Sequence, residues 1–125
     1  QDILPLLKGK NIEERPLYWH FPIYLQAYSV EKDDGKDPLF RTRPGSTIIY
    51  KNWKLHHYFE DDDLELYNLE YDLGERINLA TSHPKKKQEL FKLLNDWRND
   101  VDAKIPLELN PEYDPNFKPQ KKSKK

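Results

Sequence analysis

The chain has 125 residues, of which 36% are hydrophobic and 34% charged, and its formal net charge is −1. That length fits one domain with a modest core. Cysteine is absent, which excludes disulfides and thiolate metal sites, and no apolar run reaches membrane-spanning length. Methionine is also absent, so we expect a processed product or an excised part of a longer protein.

Positive charge is concentrated at the C-terminus, where five of the last eight residues are lysine and leave the rest of the chain acidic. A lysine-rich end can contact nucleic acid or anionic lipid, but a solvated, disordered tail is the commoner role. The aromatic residues alternate with acidic residues more than with basic ones, which argues against a platform for single-stranded nucleic acid. We therefore expect neither nucleic acid nor a membrane as a partner.

The N-terminal part of the chain predicts one short apolar element and one strand. Residues 2–10 favour a turn or helix that ends at Gly9. Residues 15–22 predict a strand with proline at its entrance and exit, where the missing N–H does least harm. Its side chains alternate: Leu17, Trp19 and Phe21 share one side, and Tyr18 and His20 the other. Residues 27–43 predict a surface loop.

The next part predicts an antiparallel meander of three strands. Residues 47–50 are β-branched and aromatic, and residues 53–59 and 64–69 alternate with the two-residue period of strands. A two-residue turn at 51–52 and an acidic hairpin tip at 60–63 connect them.

The last structured element is an amphipathic helix of about 20 residues, with Ser82 as the predicted N-cap and Pro84 in the first turn. Its apolar stripe consists of Leu90, Leu94, Trp97 and Val101, widened by Phe91 and Leu93. Such a helix must dock on an apolar sheet face. The predicted fold class is α+β, with a small antiparallel sheet of about four strands packed against one long C-terminal helix.

A longer pattern lies within residues 46–80: S-x-I-x-x-x-N-W-K-L, then a hairpin, then E-L-Y-N-L-x-x-D-x-G-E-x-x-N-L-A. This pattern resembles the C-terminal subdomain of type I sulfatases, which use a formylglycine nucleophile. The run R-x-L-Y-W-H-F-P-x-Y at residues 15–24 resembles a strand of the same subdomain. The resemblance covers residues 2–103. Relatives commonly have arginine where this chain has Ile49, and glycine where it has Lys51, which predicts a slightly different turn.

The resemblance implies three segments. Residues 1–12 lead in from a missing N-terminal catalytic domain, residues 13–103 form the sulfatase C-terminal sheet-plus-helix subdomain, and residues 104–125 form an extended, proline-containing and lysine-rich tail. The parent would be a sulfuric ester hydrolase acting on sulfated carbohydrate or aryl sulfate esters, located in the periplasm or secreted, or lysosomal in a eukaryote. This part would complete its fold and line the substrate pocket, while being inactive alone.

The chemistry that the resemblance implies requires residues beyond this chain. The nucleophile motif C/S-x-P-x-R does not occur in the sequence, so we expect no catalytic residue and no metal ligand in this segment. Formylglycine and calcium are expected in the N-terminal catalytic domain, which is the predicted partner together with a sulfated saccharide or aryl sulfate substrate.

The candidate substrate-binding residues are His20 and Arg43. His20 lies between two aromatic residues, where a histidine can bind or titrate near neutral pH, and a structural histidine is the alternative. Arg43, like Arg41, has forked donors suited to an anionic sugar. We expect His57 to be a packed or hydrogen-bonded core histidine and His56 to be exposed, since neighbours on a strand point to opposite faces.

Two other classes of function stay open. The first is a stand-alone, non-catalytic binding or interaction module, since a fold does not dictate a function. Such a module predicts a conventional polar surface, whereas a sulfatase subdomain predicts an exposed apolar patch where the missing domain docks. The second is an anion-binding protein that uses the lysine tail.

Overall fold

The computed structural model describes residues 3–25, 40–106, 108 and 111. These residues form, in chain order, α1 (Leu4–Leu7), β1 (Leu17–Phe21), β2 (Gly45–Tyr50), β3 (Trp53–Tyr58), β4 (Leu64–Asn68) and α2 (Pro84–Asp100). The predicted α+β fold is confirmed. Most of the predicted loop at 27–43 and the lysine-rich end lie outside the described residues.

The four strands form one antiparallel sheet in the order β1-β2-β3-β4. Its register places Tyr18 opposite Ile48, Ile48 opposite Leu55, and Leu55 opposite Leu66. The last three of these side chains are fully buried. Because side chains alternate along each strand, this one row fixes which residues face the core and which face away.

Two hairpin turns differ in how the backbone closes them. The two-residue turn between β2 and β3 contains Lys51 at a φ of 55°, a conformation that glycine adopts more easily. The predicted acidic tip between β3 and β4 is confirmed, and the N–H of Tyr58 donates to the carbonyl of Asp63 across it at 3.0 Å.

The helix α2 covers one face of the sheet and contacts β2 and β3. Leu90 and Leu94 are fully buried against the apolar row. Trp97 stacks in parallel on Tyr18 of β1, with 4.8 Å between the ring centroids. Each large apolar side chain buried in this way contributes about 1.5–3 kcal/mol.

Both predicted ends of the helix need correction. His83 occupies the N-cap position without a side-chain cap. The hydroxyl of Ser82 instead donates to the carbonyl of Leu79 at 3.2 Å, because the backbone of His83 is not yet helical. At the other end the helix stops at Asp100, so Val101 falls beyond the stripe and is 50% exposed.

The outer edge of β4 is covered by the chain that follows it. The side-chain oxygen of Asn78 accepts from the N–H of Leu66 at 3.1 Å, and the N–H of Leu79 donates to the carbonyl of Leu66 at 2.7 Å. These bonds pair an edge that would otherwise present free backbone groups.

We expect Leu94→Ala to lower the free energy of unfolding by about 2–5 kcal/mol, because it removes buried methyl groups and leaves a cavity under α2. Val101→Ala is the matched control, since that side chain is half exposed. Urea unfolding followed by circular dichroism measures both. Equal losses for the two variants would contradict the described packing.

Candidate functional site

The sheet face opposite α2, here called the open face, is not covered by a helix among the described residues. Its side chains, as the strand register requires, are Leu17, Trp19, Phe21, Thr47, Ile49, Lys54, His56, Tyr58, Glu65 and Tyr67. The part on β1 is apolar and exposed, whereas the part on β3 and β4 is polar and mostly half-buried, with Tyr67 fully buried. The polar part therefore has partners of its own.

Two adjoining cavities, of about 260 and 280 Å³, form a cleft on the open face. Both are lined by Arg41, Thr42, Arg43, His56 and Tyr58. The first extends to the loop after β4, and the second extends to β1. A concave site with a few convergent polar groups is the usual form of a ligand pocket.

Arg43 is the best-positioned cation in the cleft. Its guanidinium lies 4.2 Å from the ring centroid of Tyr58 and donates to Asp61 at 2.9 Å. Burial alone would lower the pKa of Arg43, but the hydrogen bond that it donates to Asp61 and the nearby negative charges, Asp61 first, together outweigh burial, so the pKa is raised. The side chain is 24% exposed. A guanidinium fixed on one edge keeps further donors for an anionic ligand.

A second cluster forms the wall of the cleft. The carboxylate of Glu75 accepts from Nζ of Lys54 at 2.5 Å and from Nε2 of His56 at 2.8 Å. Nδ1 of His56 lies 2.8 Å from the hydroxyl of Thr47. His56 is thus a partly buried member of this network, and the expectation that it is exposed was wrong. The hydrogen bond from His56 and the ammonium of Lys54 lower the pKa of Glu75 to about 2.

The loop at 69–77 presents Glu75 to this wall in a strained conformation. The φ of Glu75 is 55°, in the left-handed region, although the preceding residue, Gly74, would adopt that conformation more easily. The carboxylate of Asp72 accepts from the N–H groups of Arg76 and Ile77, each at 2.8 Å, which fixes the turn. These backbone donors, Arg76 first, lower the pKa of Asp72. A strained residue persists where its surroundings determine it.

The buried histidine on the helix side belongs to a different network. Nδ1 of His57 accepts from Arg98 at 2.8 Å, so its Nε2–H donates to Asp62 at 2.6 Å. His57 is 6% exposed, and the prediction of a packed, hydrogen-bonded histidine is confirmed. Arg98 also donates to Asn95, and burial lowers its pKa.

Sequence reasoning missed the burial of Arg98 because it assigned only apolar residues to the buried stripe of the helix. One signal was present in the spacing. Leu90, Leu94 and Arg98 follow one another at intervals of four, so they share a face of the helix. A charged residue on such a face indicates a buried polar partner, which here is His57.

The two predicted substrate-binding residues lie on opposite faces of the sheet. His20 is on the α2 side, with Nδ1 2.8 Å from the hydroxyl of Ser46 and Nε2 2.9 Å from the carbonyl of Lys104. A carbonyl only accepts, so Nε2 carries the proton. Arg43 lines the cleft on the open face. The structure does not bring His20 and Arg43 together, and the assignment of each as a substrate contact stays a prediction.

Within residues 3–25, 40–106, 108 and 111, no three or more His, Cys, Asp or Glu side chains are arranged to hold a metal ion. The acidic hairpin tip instead bonds to protein groups, since Glu60 accepts from the hydroxyl of Tyr24 at 3.0 Å, Asp61 from Arg43 and Asp62 from His57. No helix in the same part of the chain is both long and apolar enough to cross a membrane.

Comparisons with known proteins point to one group. A curated protein named sulfatase, from Formosa agariphila, is 34% identical over 80 residues, which are 60% of this chain and 12% of that protein. No family model matches the chain. The chain therefore spans about an eighth of the curated relative that it matches.

Two solved structures share the fold. A Bacteroides thetaiotaomicron protein described as a sulfatase superposes with a TM-score of 0.59 at 23% identity, over 89% of this chain and 23% of that one. A 2-O GAG sulfatase superposes with a TM-score of 0.55 at 24% identity, over 82% of this chain and 20% of that one. The resemblance to sulfatases is confirmed, and the match to only part of each protein is consistent with a C-terminal subdomain.

We expect the ionised carboxylate of Glu75 to stabilise the fold above pH 4.5, and this stabilisation to be lost as the pH falls toward 2, because the pKa is 4.5 in the unfolded chain and about 2 in the folded one. Glu75→Gln should lower the free energy of unfolding at pH 7 by at most about 3 kcal/mol. It should also flatten the dependence of stability on pH in that window. Urea unfolding at a series of pH values measures both.

The control for this variant is Glu89→Gln, which breaks the exposed Lys86–Glu89 pair on α2. A helix-surface pair of this kind contributes about 0.2–0.5 kcal/mol. If Glu75→Gln has no larger effect than Glu89→Gln at any pH, the Glu75 network does not hold the loop to the sheet.

Proposed function

We propose that the chain is the C-terminal subdomain of a formylglycine-dependent sulfatase. In this role it completes the fold of the parent enzyme and lines one side of the pocket for a sulfated carbohydrate or aryl sulfate ester. The observation that carries the proposal is a cleft containing Arg43 on an open sheet face, in a chain similar to part of a sulfatase.

Exposed apolar residues favour this role over a stand-alone binding module. Leu17, Trp19 and Phe21 on β1 are 41%, 50% and 39% exposed and point to the same side as the cleft. A self-sufficient module predicts a polar surface here, whereas a subdomain predicts an apolar area for its catalytic domain. The N-terminal catalytic domain is therefore the partner that we assign to this side of the sheet.

Arg43 is the residue that we assign to substrate contact. Its guanidinium is fixed by Asp61 and stacked on Tyr58, so little side-chain entropy is lost when a ligand binds. Sulfate esters and anionic sugars both offer oxygen pairs that match its forked donors. His20 is a weaker candidate, since a substrate would have to displace Ser46 or the carbonyl of Lys104.

The reaction itself belongs to the domain that this chain does not contain. The resemblance to sulfatases implies a formylglycine nucleophile and a calcium ion, and we place both in the N-terminal domain. The periplasm, the cell exterior or the lysosome is the proposed location.

We expect the isolated 125-residue chain to release no sulfate from aryl sulfates or sulfated disaccharides above a no-enzyme control. The full-length protein from the natural gene should contain C/S-x-P-x-R before residue 1 and should release sulfate. Ion chromatography of free sulfate measures both. A natural gene without that motif, or turnover by the isolated chain, would overturn the proposal.

In the full-length enzyme, Arg43→Ala should lower kcat/KM about 10- to 100-fold, which corresponds to the loss of about 1.5–3 kcal/mol for a hydrogen bond to a charged group. Lys92→Ala is the control, because Lys92 is a largely exposed cation on the outer side of α2. Arg43 does not contact substrate if both variants retain the same kcat/KM for every sulfate ester that the wild type hydrolyses.

A further inference from the structure

The loop at 69–77 carries three large apolar side chains in solvent. Tyr71 is 83% exposed, Leu73 81% and Ile77 64%. Scattered exposed apolar residues are ordinary on a protein surface, but three within seven residues of one loop indicate a contact surface.

This loop is fixed by hydrogen bonds from its own residues and from the sheet. Asp72 accepts from two N–H groups within the loop, and the N–H groups of Tyr71 and Asp72 both donate to the carbonyl of Asn68. Glu75 ties the loop to Lys54 and His56 on the open face. The apolar side chains are therefore presented from an ordered backbone, which lowers the entropic cost of binding them.

The loop and β1 lie on opposite sides of the cleft. Gly74 and Glu75 line the cavity at the β4 end, and Trp19 and Phe21 line the adjoining cavity at the β1 end. These strands are the two edges of the sheet. The polar cleft is thus bordered at one end by apolar side chains of β1 and at the other end by the loop that carries Tyr71, Leu73 and Ile77.

We propose that Tyr71, Leu73 and Ile77 form a second docking surface for the N-terminal catalytic domain of the same protein, across the cleft from β1. The inference rests on the proposed function. It adds that the catalytic domain contacts the loop at 69–77 as well as β1, and so closes the cleft between them. We choose the catalytic domain as the occupant because of the size of the similar proteins. The matched part is only 12% of the curated relative and 20–23% of the solved structures. A parent protein of that size would have a domain large enough to cover both edges of the sheet. A substrate of the size of the cleft contacts the cleft and not an exposed loop beyond it.

The experiment uses the full-length protein, with Leu73→Cys compared with Val101→Cys. In the described structure Leu73 is 81% exposed and Val101 only 50%, so an uncovered loop predicts that position 73 reacts with a maleimide at least as fast as position 101. Docking predicts the reverse order, with position 73 about tenfold slower or more. Peptide mass spectrometry separates these sites from any other cysteine.

Hydroxyl-radical footprinting of the wild-type protein provides a measurement without substitution. Tyr71 should be modified at about a tenth or less of its rate in the urea-unfolded protein. The inference is overturned if position 73 reacts as fast as position 101 or if Tyr71 is not protected. Two further results overturn it. If the protection of Tyr71 disappears on dilution, the surface contacts a second copy of the protein. If the protection arises only when a sulfated substrate is added, the surface contacts the substrate.

Failure of this inference is distinguishable from failure of the proposed function. Sulfate release and the C/S-x-P-x-R motif test the function in the wild-type protein, whereas the order of labelling rates tests the docking surface. A full-length sulfatase in which position 73 labels fastest would retain the function and lose only the second docking surface.

Discussion

The packing of α2 on one face of the sheet is the interaction on which the remaining structure depends. A four-stranded sheet has two faces, and one amphipathic helix can cover only one of them. Ile48, Leu55 and Leu66 meet Leu90 and Leu94 on that side and make up most of the small core. Side chains at the alternate positions of each strand then point to the open face. There they must find polar partners or another protein surface. The cleft is a consequence of this division.

Carboxylates connect the remaining parts of the molecule. Asp61 fixes Arg43 in the cleft, Asp62 reaches the buried Arg98 through His57, and Glu75 joins the last loop to the open face. Each of these acids bonds to a group from another element. The acidic hairpin tip therefore acts as a structural junction between the cleft and α2.

The meander of β2, β3 and β4, the hairpin positions and most of the apolar stripe of α2 could be predicted from the sequence, because each depends on local periodicity and turn chemistry. The burial of Leu90 and Leu94 followed from that stripe. The partnership of Arg98 with His57 could not be predicted, because it joins residues 41 positions apart through tertiary packing. His56 was assigned to solvent for a similar reason, since the partner that covers it, Glu75, reaches it from a loop.

The candidate site was less predictable than the fold. Arg43 was selected for its chemistry, and no sequence pattern indicated that Asp61 and Tyr58 would fix it. The alternation on β1 correctly separated its two sides, yet only the structure shows that the larger apolar side chains of β1 lie opposite α2. Which side of a strand faces the core depends on the register with β2, and register is a tertiary property.

A crystal structure of the full-length protein with inorganic sulfate tests the central claim most directly. The account predicts that the open face and the β1 side chains contact the domain that carries formylglycine, with Arg43 beside the sulfate-containing pocket and the outer side of α2 in solvent. A structure in which that domain contacts α2 instead, and leaves the cleft open to solvent and remote from the nucleophile, would contradict the account.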